Sequence, residues 1–251
     1  MNEQRKLDNK VTVITIGSGG IGFAAARLFH QHGAQLVLAA QDESTLGAAA
    51  ELLGAPVRLV ACDLSTSAGV DCLIDAVEDY FGFIDVLLVD AGTARTPDPR
   101  DVDGAAFDQY INAHLKSAFL TVTRFRDMLN DNASVVLTAA AHQCGGHGAP
   151  LHMLTRAALT GLARSLAADT QLLARGIRVN SLSPGSLRNP SIMCEDPAAR
   201  QAIDAHVTVT VPLRRLGTTE EVARAALYLA GPDSAYTTGS DLPVDGGLAR
   251  L

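Results

Sequence analysis

Residues 11–22 read Val-Thr-Val-Ile-Thr-Ile-Gly-Ser-Gly-Gly-Ile-Gly and join a run of β-branched residues to a glycine-rich turn. β-branched side chains favour strands, and the apolar spacing that follows, as far as His32, is that of a helix. Glycines between a strand and a helix let the backbone turn tightly and approach a phosphate at the positive end of the helix dipole. The stretch therefore predicts the first strand, turn and helix of a nucleotide-binding α/β domain.

The glycines of this turn can be aligned in two registers. In one register, Gly17, Gly19 and Gly22 form a complete Gly-x-Gly-x-x-Gly pattern, which is typical of a turn that contacts a pyrophosphate. In the other register, aligned on Gly20 and Gly22, the position of the first glycine is occupied by Ile16, and a β-branched residue resists positive φ. A third hypothesis stays open, in which the glycines are retained for packing alone.

The rest of the chain repeats the alternation of short apolar runs and longer segments of helical period, which is typical of βαβ units. Strands are predicted over Val11–Ile16, Gln35–Ala39, Val57–Ala61, Asp85–Val89, Ser134–Thr138, Arg178–Leu182 and Leu242–Val244. Helices are predicted over Gly20–His32, Ser44–Leu53, Ala68–Phe81, Phe107–Leu129, Leu151–Leu173 and Glu220–Leu229. Right-handed crossovers then give a Rossmann-like, doubly wound parallel sheet of about seven strands, with helices on both faces and a single domain over residues 1–251.

Composition narrows the function classes. Hydrophobic residues make up 47% of the chain and charged residues 19%, which suits a parallel sheet that is buried on both faces. The formal net charge is −7 and no basic tract stands out, which argues against nucleic acid or a membrane as a partner. The four cysteines show no paired spacing, and neither a signal peptide nor a membrane-spanning run is evident. We therefore expect a cytoplasmic protein.

Further motifs follow the predicted strands and lie near the C-terminus. Asp63-Leu64 follows the third strand, Val89-Asp90-Ala91-Gly92 ends the fourth, and the sixth lies in Arg178–Gly185. Pro212–Gly217 and Val244–Gly247 lie near the end of the chain. Together these motifs resemble those of the short-chain dehydrogenase/reductase family. The family reads Asn-Asn-Ala-Gly where this chain has Val89-Asp90-Ala91-Gly92. The resemblance extends over the whole chain and implies the fold predicted above.

The resemblance implies that a dinucleotide, if one binds, would contact residues at the ends of the strands. These residues are Gly17, Gly19, Gly22, Asp63, Leu64, Ala91, Gly92, Pro184 and Gly185. An acidic residue after the second strand usually indicates NAD, and a basic residue indicates NADP. Here the acid position resembles Ala40 and the arginine position resembles Gln41, so the choice between NAD and NADP stays open. Asp42 and Glu43 follow, but an acidic start to the next helix explains both equally well.

The resemblance also places the family's catalytic residues on this chain. In the family, a tyrosine exchanges a proton with the substrate oxygen, and a lysine four residues later, on the same helical face, lowers the pKa of the tyrosine. A serine orients the substrate and an asparagine completes a proton relay. In this chain the asparagine is Asn112, the serine position is Ala139 or Ala140, the tyrosine position is His152 and the lysine position is Arg156.

Three of these four positions carry a different residue, which argues against ordinary hydride transfer between alcohols and carbonyls. Histidine can act as an acid or a base, and arginine can bind a carboxylate or phosphate with two donors. We therefore predict a repurposed non-redox enzyme, of the isomerase, cyclase, dehydratase or lyase type, with His152 as acid/base and Arg156 as anion anchor. Two alternatives stay open: an NAD(P)-dependent oxidoreductase in which His152 replaces the tyrosine, and a non-catalytic subunit or binding protein that pairs with an active homologue.

A short histidine cluster follows the fifth strand. It consists of His142, Cys144 and His147, and the resemblance places His114 and His152 near the same substrate cavity. Three such side chains are enough for zinc, but the loop is rich in glycine and the spacing matches no standard zinc site. No metal site is predicted. Imidazoles that line a polar pocket for a small-molecule ligand are favoured over a metal site, and exposed loop histidines without a role are favoured over both.

The resemblance also predicts assembly. In the family, the long helices that correspond to Phe107–Leu129 and Leu151–Leu173 pair across a dimer interface, and the C-terminal segment makes a second interface. We therefore expect a homodimer or homotetramer, with hetero-assembly beside a related chain as an alternative. The substrate-determining loop corresponds to Arg188–Val207 and carries no motif that identifies the substrate.

Overall fold

A computed structural model of the chain describes residues 5–17, 20–54, 56–90, 99–138, 150–188 and 197–248. The strands are β1 (Val11–Thr15), β2 (Gln35–Ala40), β3 (Arg58–Ala61), β4 (Ile84–Asp90), β5 (Leu129–Thr138), β6 (Arg178–Pro184), β7 (Leu187–Arg188), β8 (Gly217–Thr218) and β9 (Asp241–Val244). Seven of them form one parallel sheet in the order β3-β2-β1-β4-β5-β6-β9. The order reverses between β1 and β4, and this reversal places the ligand site at the carboxyl ends of these strands.

The central strands are buried on both faces of the sheet. Successive side chains of a strand point to opposite faces. Val13 of β1 and Leu87 of β4 accordingly lie in one hydrophobic core, and their neighbours Ile14 and Leu88 lie in the other. These two cores explain the continuous apolar runs of the sequence. The predicted Rossmann-like, doubly wound parallel sheet of a single α/β domain is confirmed.

Helices cover both faces of the sheet. They are α1 (Ile21–Gln31), α2 (Glu43–Leu53), α3 (Ser67–Tyr80), α4 (Gly104–Ile111), α5 (Ser117–Arg124), α6 (Pro150–Ala167), α7 (Thr170–Ala174), α8 (Pro197–Thr210) and α9 (Thr219–Ala230). Helices α1, α2 and α9 pack on one face, and α3, α5 and α6 pack on the other. None of the described helices is both long enough and apolar enough to cross a membrane.

The predicted helix Phe107–Leu129 is wrong as a single helix. The helical segment begins at Gly104, and the stretch Asn112–Lys116 between α4 and α5 is a π-helical turn. The amide N–H of Ser117 bonds to the carbonyl of Asn112, five residues earlier, which widens the helix at this point. A 3₁₀ turn ends the segment, and Leu129 already belongs to β5. π-turns of this kind are frequent at functional sites.

The predicted helix Leu151–Leu173 is also divided. Helix α6 ends at Ala167, and Asp169 begins α7 as its N-cap. The Asp169 carboxylate accepts hydrogen bonds from the N–H groups of Gln171 and Leu172, which satisfies donors that a continuous helix would have used internally. Helix α8, Pro197–Thr210, was not predicted, and most of it lies in the segment Arg188–Val207 that was expected to be a loop.

Strands β7 and β8 form a separate two-stranded ribbon. Leu187 pairs with Gly217 and Arg188 with Thr218, and the N–H of Gly217 bonds to the carbonyl of Ser186. Thr218 is also the N-cap of α9, in a reciprocal capping box with Glu221. The ribbon therefore joins the two ends of residues 189–216 directly after the carboxyl end of β6.

Candidate active site

The glycine turn after β1 requires glycine at two described positions. Gly20 lies at φ +76° as the N-cap of α1, a conformation that L side chains rarely adopt. A Cβ at Gly22 would lie 2.9 Å from the carbonyl oxygen of Thr15, so α1 packs directly against β1. Ile16 does not adopt a positive φ and instead extends the sheet, because its N–H bonds to the carbonyl of Ala39 at 2.7 Å. An isoleucine at the first glycine position is therefore accommodated one residue beyond β1, where its N–H continues the hydrogen bonding to β2.

A buried carboxylate supports this turn from the sheet side. Oδ2 of Asp90, the last residue of β4, accepts a hydrogen bond of 2.8 Å from the N–H of Gly22, and the N–H of Gly17 also donates to this carboxyl. Asp90 is 5% exposed. Burial raises the pKa of its carboxyl from 3.8 to about 6, and the two backbone donors act in the opposite direction. A negative charge of the protein thus lies against the start of α1 near neutral pH.

Two acidic side chains that follow β2 and β3, where dinucleotide contacts were predicted, serve local structure. Asp42 is the N-cap of α2 and accepts bonds from the hydroxyls of Ser44 and Thr45, which with the Thr45 N–H lower its pKa to about 2. Asp63 accepts bonds from the N–H and the hydroxyl of Ser65, at 2.9 and 2.7 Å. Helix capping and a tight turn therefore account for both carboxylates without a ribose or an adenine.

The predicted cofactor-binding glycine after β6 has a structural role of its own. Gly185 follows Pro184, and its N–H bonds to the carbonyl of Val244 at 2.9 Å. A Cβ at Gly185 would lie 2.5 Å from the Cα of Asp245, which leaves no space for a side chain. Close approach of two backbones therefore requires this glycine. Leu64 packs against the core on the α3 face.

The asparagine of the predicted catalytic set lies in the π-turn between α4 and α5. Asn112 opens this turn and is half-buried. His114, two residues later, is 1% exposed and stacks on Tyr110 with 4.0 Å between the ring centroids. Burial lowers the pKa of His114 to about 4, so its imidazole is neutral at neutral pH.

His152 and Arg156 lie one turn apart on α6, as their spacing predicts. His152 is only 2% exposed, and its carbonyl accepts a bond from the hydroxyl of Thr155. The guanidinium Nη2 of Arg156 lies 3.8 Å from Oδ2 of Asp241, and both side chains are 19% exposed. The position of the family's lysine is therefore held by a cation paired with a carboxylate of β9.

Asp241 is the residue of this site that the sequence analysis missed. Its Oδ1 accepts bonds from the hydroxyls of Ser181 and Ser183, at 2.9 and 2.7 Å, on the neighbouring strand β6. Ser181 lies near Thr160 of α6, with 3.5 Å between the two hydroxyl oxygens. A charged residue at the start of an otherwise apolar strand was the available signal. We refer to Arg156, Asp241, Ser181 and Ser183 as the arginine–aspartate network.

Several predicted residues lie outside the described part of the chain. They are Gly19, Ala91, Gly92, Ala139, Ala140, His142, Cys144 and His147. Thr138, which precedes the serine position, pairs with Asp90 and points to the face covered by α1, whereas α6 carries His152 on the opposite face. Among the described residues, no group of three or more histidines, cysteines and acids could hold a metal ion.

Comparison with known proteins identifies the family. A model of the family described as enoyl-(acyl carrier protein) reductase matches residues 16–249. The (+)-cis,cis-nepetalactol synthase of Nepeta racemosa is 33% identical, over 98% of this chain and 93% of its own. The short-chain glucose/ribitol dehydrogenase of Brucella melitensis is 28% identical, covers 98% of both chains and has a TM-score of 0.85. L-sorbose reductase of Gluconobacter frateurii, solved with NADPH and L-sorbose, is 27% identical over 99% of both chains, with a TM-score of 0.84. The chain belongs to the short-chain dehydrogenase/reductase family.

The described residues fit a dinucleotide poorly. The turn keeps glycine at Gly20 and Gly22, but the Asp90 carboxylate already accepts the N–H of Gly22. After β2, where an acid would bind a ribose, the Asp42 carboxylate is held by the cap of α2. The negative charge of Asp90 beside the start of α1 opposes the binding of an anion there.

Proposed function

We propose that this protein is a short-chain dehydrogenase/reductase-fold enzyme that acts on a small molecule by non-redox acid–base chemistry, of the isomerase, cyclase, dehydratase or lyase type. The observation that carries the proposal is the arginine–aspartate network. A guanidinium stays protonated at all accessible pH values, and the one at Arg156 is paired with Asp241. This arrangement stands where the family has the lysine that lowers the pKa of the catalytic tyrosine.

In the proposed reaction His152 is the proton donor or acceptor. Its position in the first turn of α6, on the helix that packs against β6, supports this role because the carboxyl ends of the strands form the ligand cleft. An imidazole can take a proton from a carbon or oxygen acid and return it elsewhere on the same molecule. Such a transfer changes the position of a double bond, closes a ring or expels water without a change in oxidation state.

Arg156 serves as the anchor for an anionic or strongly polar group of the ligand. Its contact with Asp241, at 3.8 Å, is an ion pair that is longer than a hydrogen bond. A guanidinium carries five N–H donors, so it can stay near Asp241 and still donate to a ligand. Asp241 then fixes the direction of the guanidinium through the two serine hydroxyls that it accepts.

The test traces deuterium from the solvent and from the cofactor into the products. The protein is incubated with small alcohols, ketones, aldehydes and enols in D₂O, with and without NADPH deuterated at the transferable position, and products are identified by mass spectrometry. We expect products of unchanged oxidation state that carry deuterium from solvent and none from the cofactor. Deuterium from the cofactor in a product would overturn the proposal.

Two variants in the first turn of α6 test whether the reaction depends on His152. The variant His152→Gln is expected to reduce turnover at least about 100-fold, the usual contribution of a general acid or base. Met153→Ala is the matched control, because Met153 is the next residue and its side chain is 51% exposed. Equal activity of wild type and His152→Gln would remove His152 from the mechanism.

A second candidate is an NAD(P)-dependent oxidoreductase in which His152 replaces the tyrosine. It is favoured by the names of the Brucella dehydrogenase and the Gluconobacter reductase, whose structures this chain resembles throughout. Transfer of deuterium from the labelled cofactor, dependent on His152, is the result that this candidate requires.

We propose a homodimer or homotetramer in the cytoplasm, with hetero-assembly beside a related chain as the alternative. Half-exposed apolar side chains at Phe119 of α5 and Leu154 of α6 support an interface on these helices. Light scattering of the purified protein tests this, and a monomer at micromolar concentration would contradict it. If Leu154→Lys abolishes the cellular function while His152→Gln does not, the protein is a non-catalytic partner subunit.

A further inference from the structure

Asp90 lies at the end of β4, against the turn that joins β1 to α1. Its Oδ2 is 2.8 Å from the amide nitrogen of Gly22, and Gly17 also donates its N–H to the carboxyl. The side chain is buried, at 5% exposure. Two amides of the glycine turn therefore already face an anion that belongs to the protein.

Packing keeps Asp90 in this place. A Cβ at Gly22 would lie 3.1 Å from the Asp90 carboxylate and 2.9 Å from the carbonyl of Thr15. The first turn of α1 is thus pressed against both β1 and β4. As long as α1 keeps this packing, the carboxylate stays in contact with the start of the helix.

Among the described residues, the groups that contact the Asp90 carboxyl are backbone amides and not positively charged side chains. Thr138, its partner in register on β5, is fully buried on the same face of the sheet. The start of α1 carries roughly half a positive charge from its aligned peptide groups, which is what normally attracts a phosphate. An ionised Asp90 offsets this charge and repels a second anion nearby.

We infer that Asp90 is a specificity-determining residue, which makes the glycine turn a poor site for dinucleotide phosphates and leaves the cleft to a ligand without a phosphate group. This inference rests on the proposed function, which identifies the cleft as the ligand site. It deepens that function because an enzyme that binds nicotinamide cofactors weakly lacks a source of hydride. The ligand expected in the cleft is a small organic molecule that carries no pyrophosphate group.

Calorimetric titration of the full chain with NADH, NADPH and inorganic pyrophosphate tests the inference without a known substrate. Asp90→Asn keeps an oxygen that can accept the N–H of Gly22 and removes the charge. We expect the variant to bind each probe at least about tenfold more tightly than wild type, as expected for the loss of one nearby like charge at an effective dielectric of about 20. Asp85→Asn is the matched control, since Asp85 lies at the opposite end of β4 and accepts the N–H of Val11. It is expected to leave all three affinities unchanged.

Equal affinity of wild type and Asp90→Asn would overturn the inference, and so would micromolar binding of NADH or NADPH by wild type. If Asp90→Asn does not fold, Asp90→Ser removes the same charge and leaves a hydroxyl acceptor near Gly22. The labelled-product experiment separates this inference from the proposed function. A protein that binds dinucleotides tightly and still transfers no deuterium from them contradicts only the role of Asp90.

Discussion

The variant Asp241→Asn tests how strongly the arginine–aspartate network is coupled. An asparagine keeps an oxygen that can accept the hydroxyls of Ser181 and Ser183, at the position where Asp241 accepts them. The substitution removes the negative charge that lies 3.8 Å from Nη2 of Arg156. It therefore changes the ion pair while disturbing the packing between β6 and β9 little.

The magnitude follows from distance and burial. Two unit charges 3.8 Å apart attract by about 4 kcal/mol at an effective dielectric of about 20, before the cost of desolvating them. Fully exposed pairs stabilise by about 0–1 kcal/mol, whereas removal of one partner of a buried pair costs about 3–5 kcal/mol. Because Arg156 and Asp241 are each 19% exposed, we expect a coupling free energy of about 2 kcal/mol.

Urea denaturation of wild type, Asp241→Asn, Arg156→Gln and the double variant gives this coupling as a double-mutant cycle. The pair Arg27–Glu220 is the control, because its atoms are closer, at 3.1 Å, but both side chains are 48% exposed. We expect less than about 1 kcal/mol there. A coupling below about 0.5 kcal/mol for Arg156 and Asp241 would refute the reasoning and show that Arg156 is held by something other than Asp241.

The remaining predictions concern buried groups and close backbone contacts. Because burial raises the pKa of Asp90 from 3.8 to about 6, its contribution to stability is complete below pH 3.8 and is lost as the pH rises through 6. Urea denaturation from pH 4 to 8 should show wild type losing about 3 kcal/mol relative to Asp90→Asn. The lowered pKa of His114, about 4, has the opposite sign, so stability present above pH 6.5 is lost as the pH falls through 4, by about 3 kcal/mol relative to His114→Gln. Gly185→Ala should lower the free energy of unfolding by at least about 2 kcal/mol, because its Cβ would lie 2.5 Å from the Cα of Asp245. Gly161→Ala in α6, where a Cβ meets nothing within 4 Å, should raise it by about 0.5–1 kcal/mol.

Each of these predictions has an outcome that contradicts it. If the stabilities of wild type and Asp90→Asn change in parallel with pH, the Asp90 carboxyl titrates as it does in the unfolded chain. If His114→Gln is as sensitive to acid as wild type, another group is responsible for the loss of stability. If Gly185→Ala unfolds at the same urea concentration as wild type, the segment at Asp245 relaxes without cost. A destabilised Gly161→Ala would indicate a contact on α6 that the isolated chain does not contain.

The sheet could be predicted from the sequence because its strands are buried on both faces. Burial on both faces favours continuous apolar runs such as Val86–Val89, and such runs are visible without knowledge of the fold. The ends of the strands are harder to predict than their apolar centres. Asp90 belongs to β4 although it is charged, because its carboxyl is satisfied by the glycine turn across the sheet.

The divided helices show where local pattern is insufficient. Apolar spacing continues through Asn112–Lys116 without a glycine or proline, so the π-turn leaves no mark in the sequence. The break before α7 did leave one, because Asp169 precedes Thr170 as a typical N-cap residue. Helix α8 was missed although Pro197 is a typical first residue of a helix.

The candidate site was predictable only where it depends on spacing within one element. His152 and Arg156 share a helical face because they are four residues apart. The contact between Arg156 and Asp241 depends on the packing of α6 against β6 and on the register that places Ser181 beside Asp241. Contacts of this kind join distant parts of the chain, and residue spacing alone does not reveal them.

The ribbon of β7 and β8 has a consequence for how new ligands could be accommodated. The pairing of Leu187–Arg188 with Gly217–Thr218 holds the two ends of residues 189–216 together. The hydrogen bonds of the ribbon therefore offset the entropic cost of closing this segment as a loop. The capping box at Thr218 then starts α9 independently of what precedes it. A segment from a relative with a different ligand preference could therefore be grafted between β7 and β8, provided that it keeps the contact in which Leu213 donates its N–H to the carbonyl of Gly246.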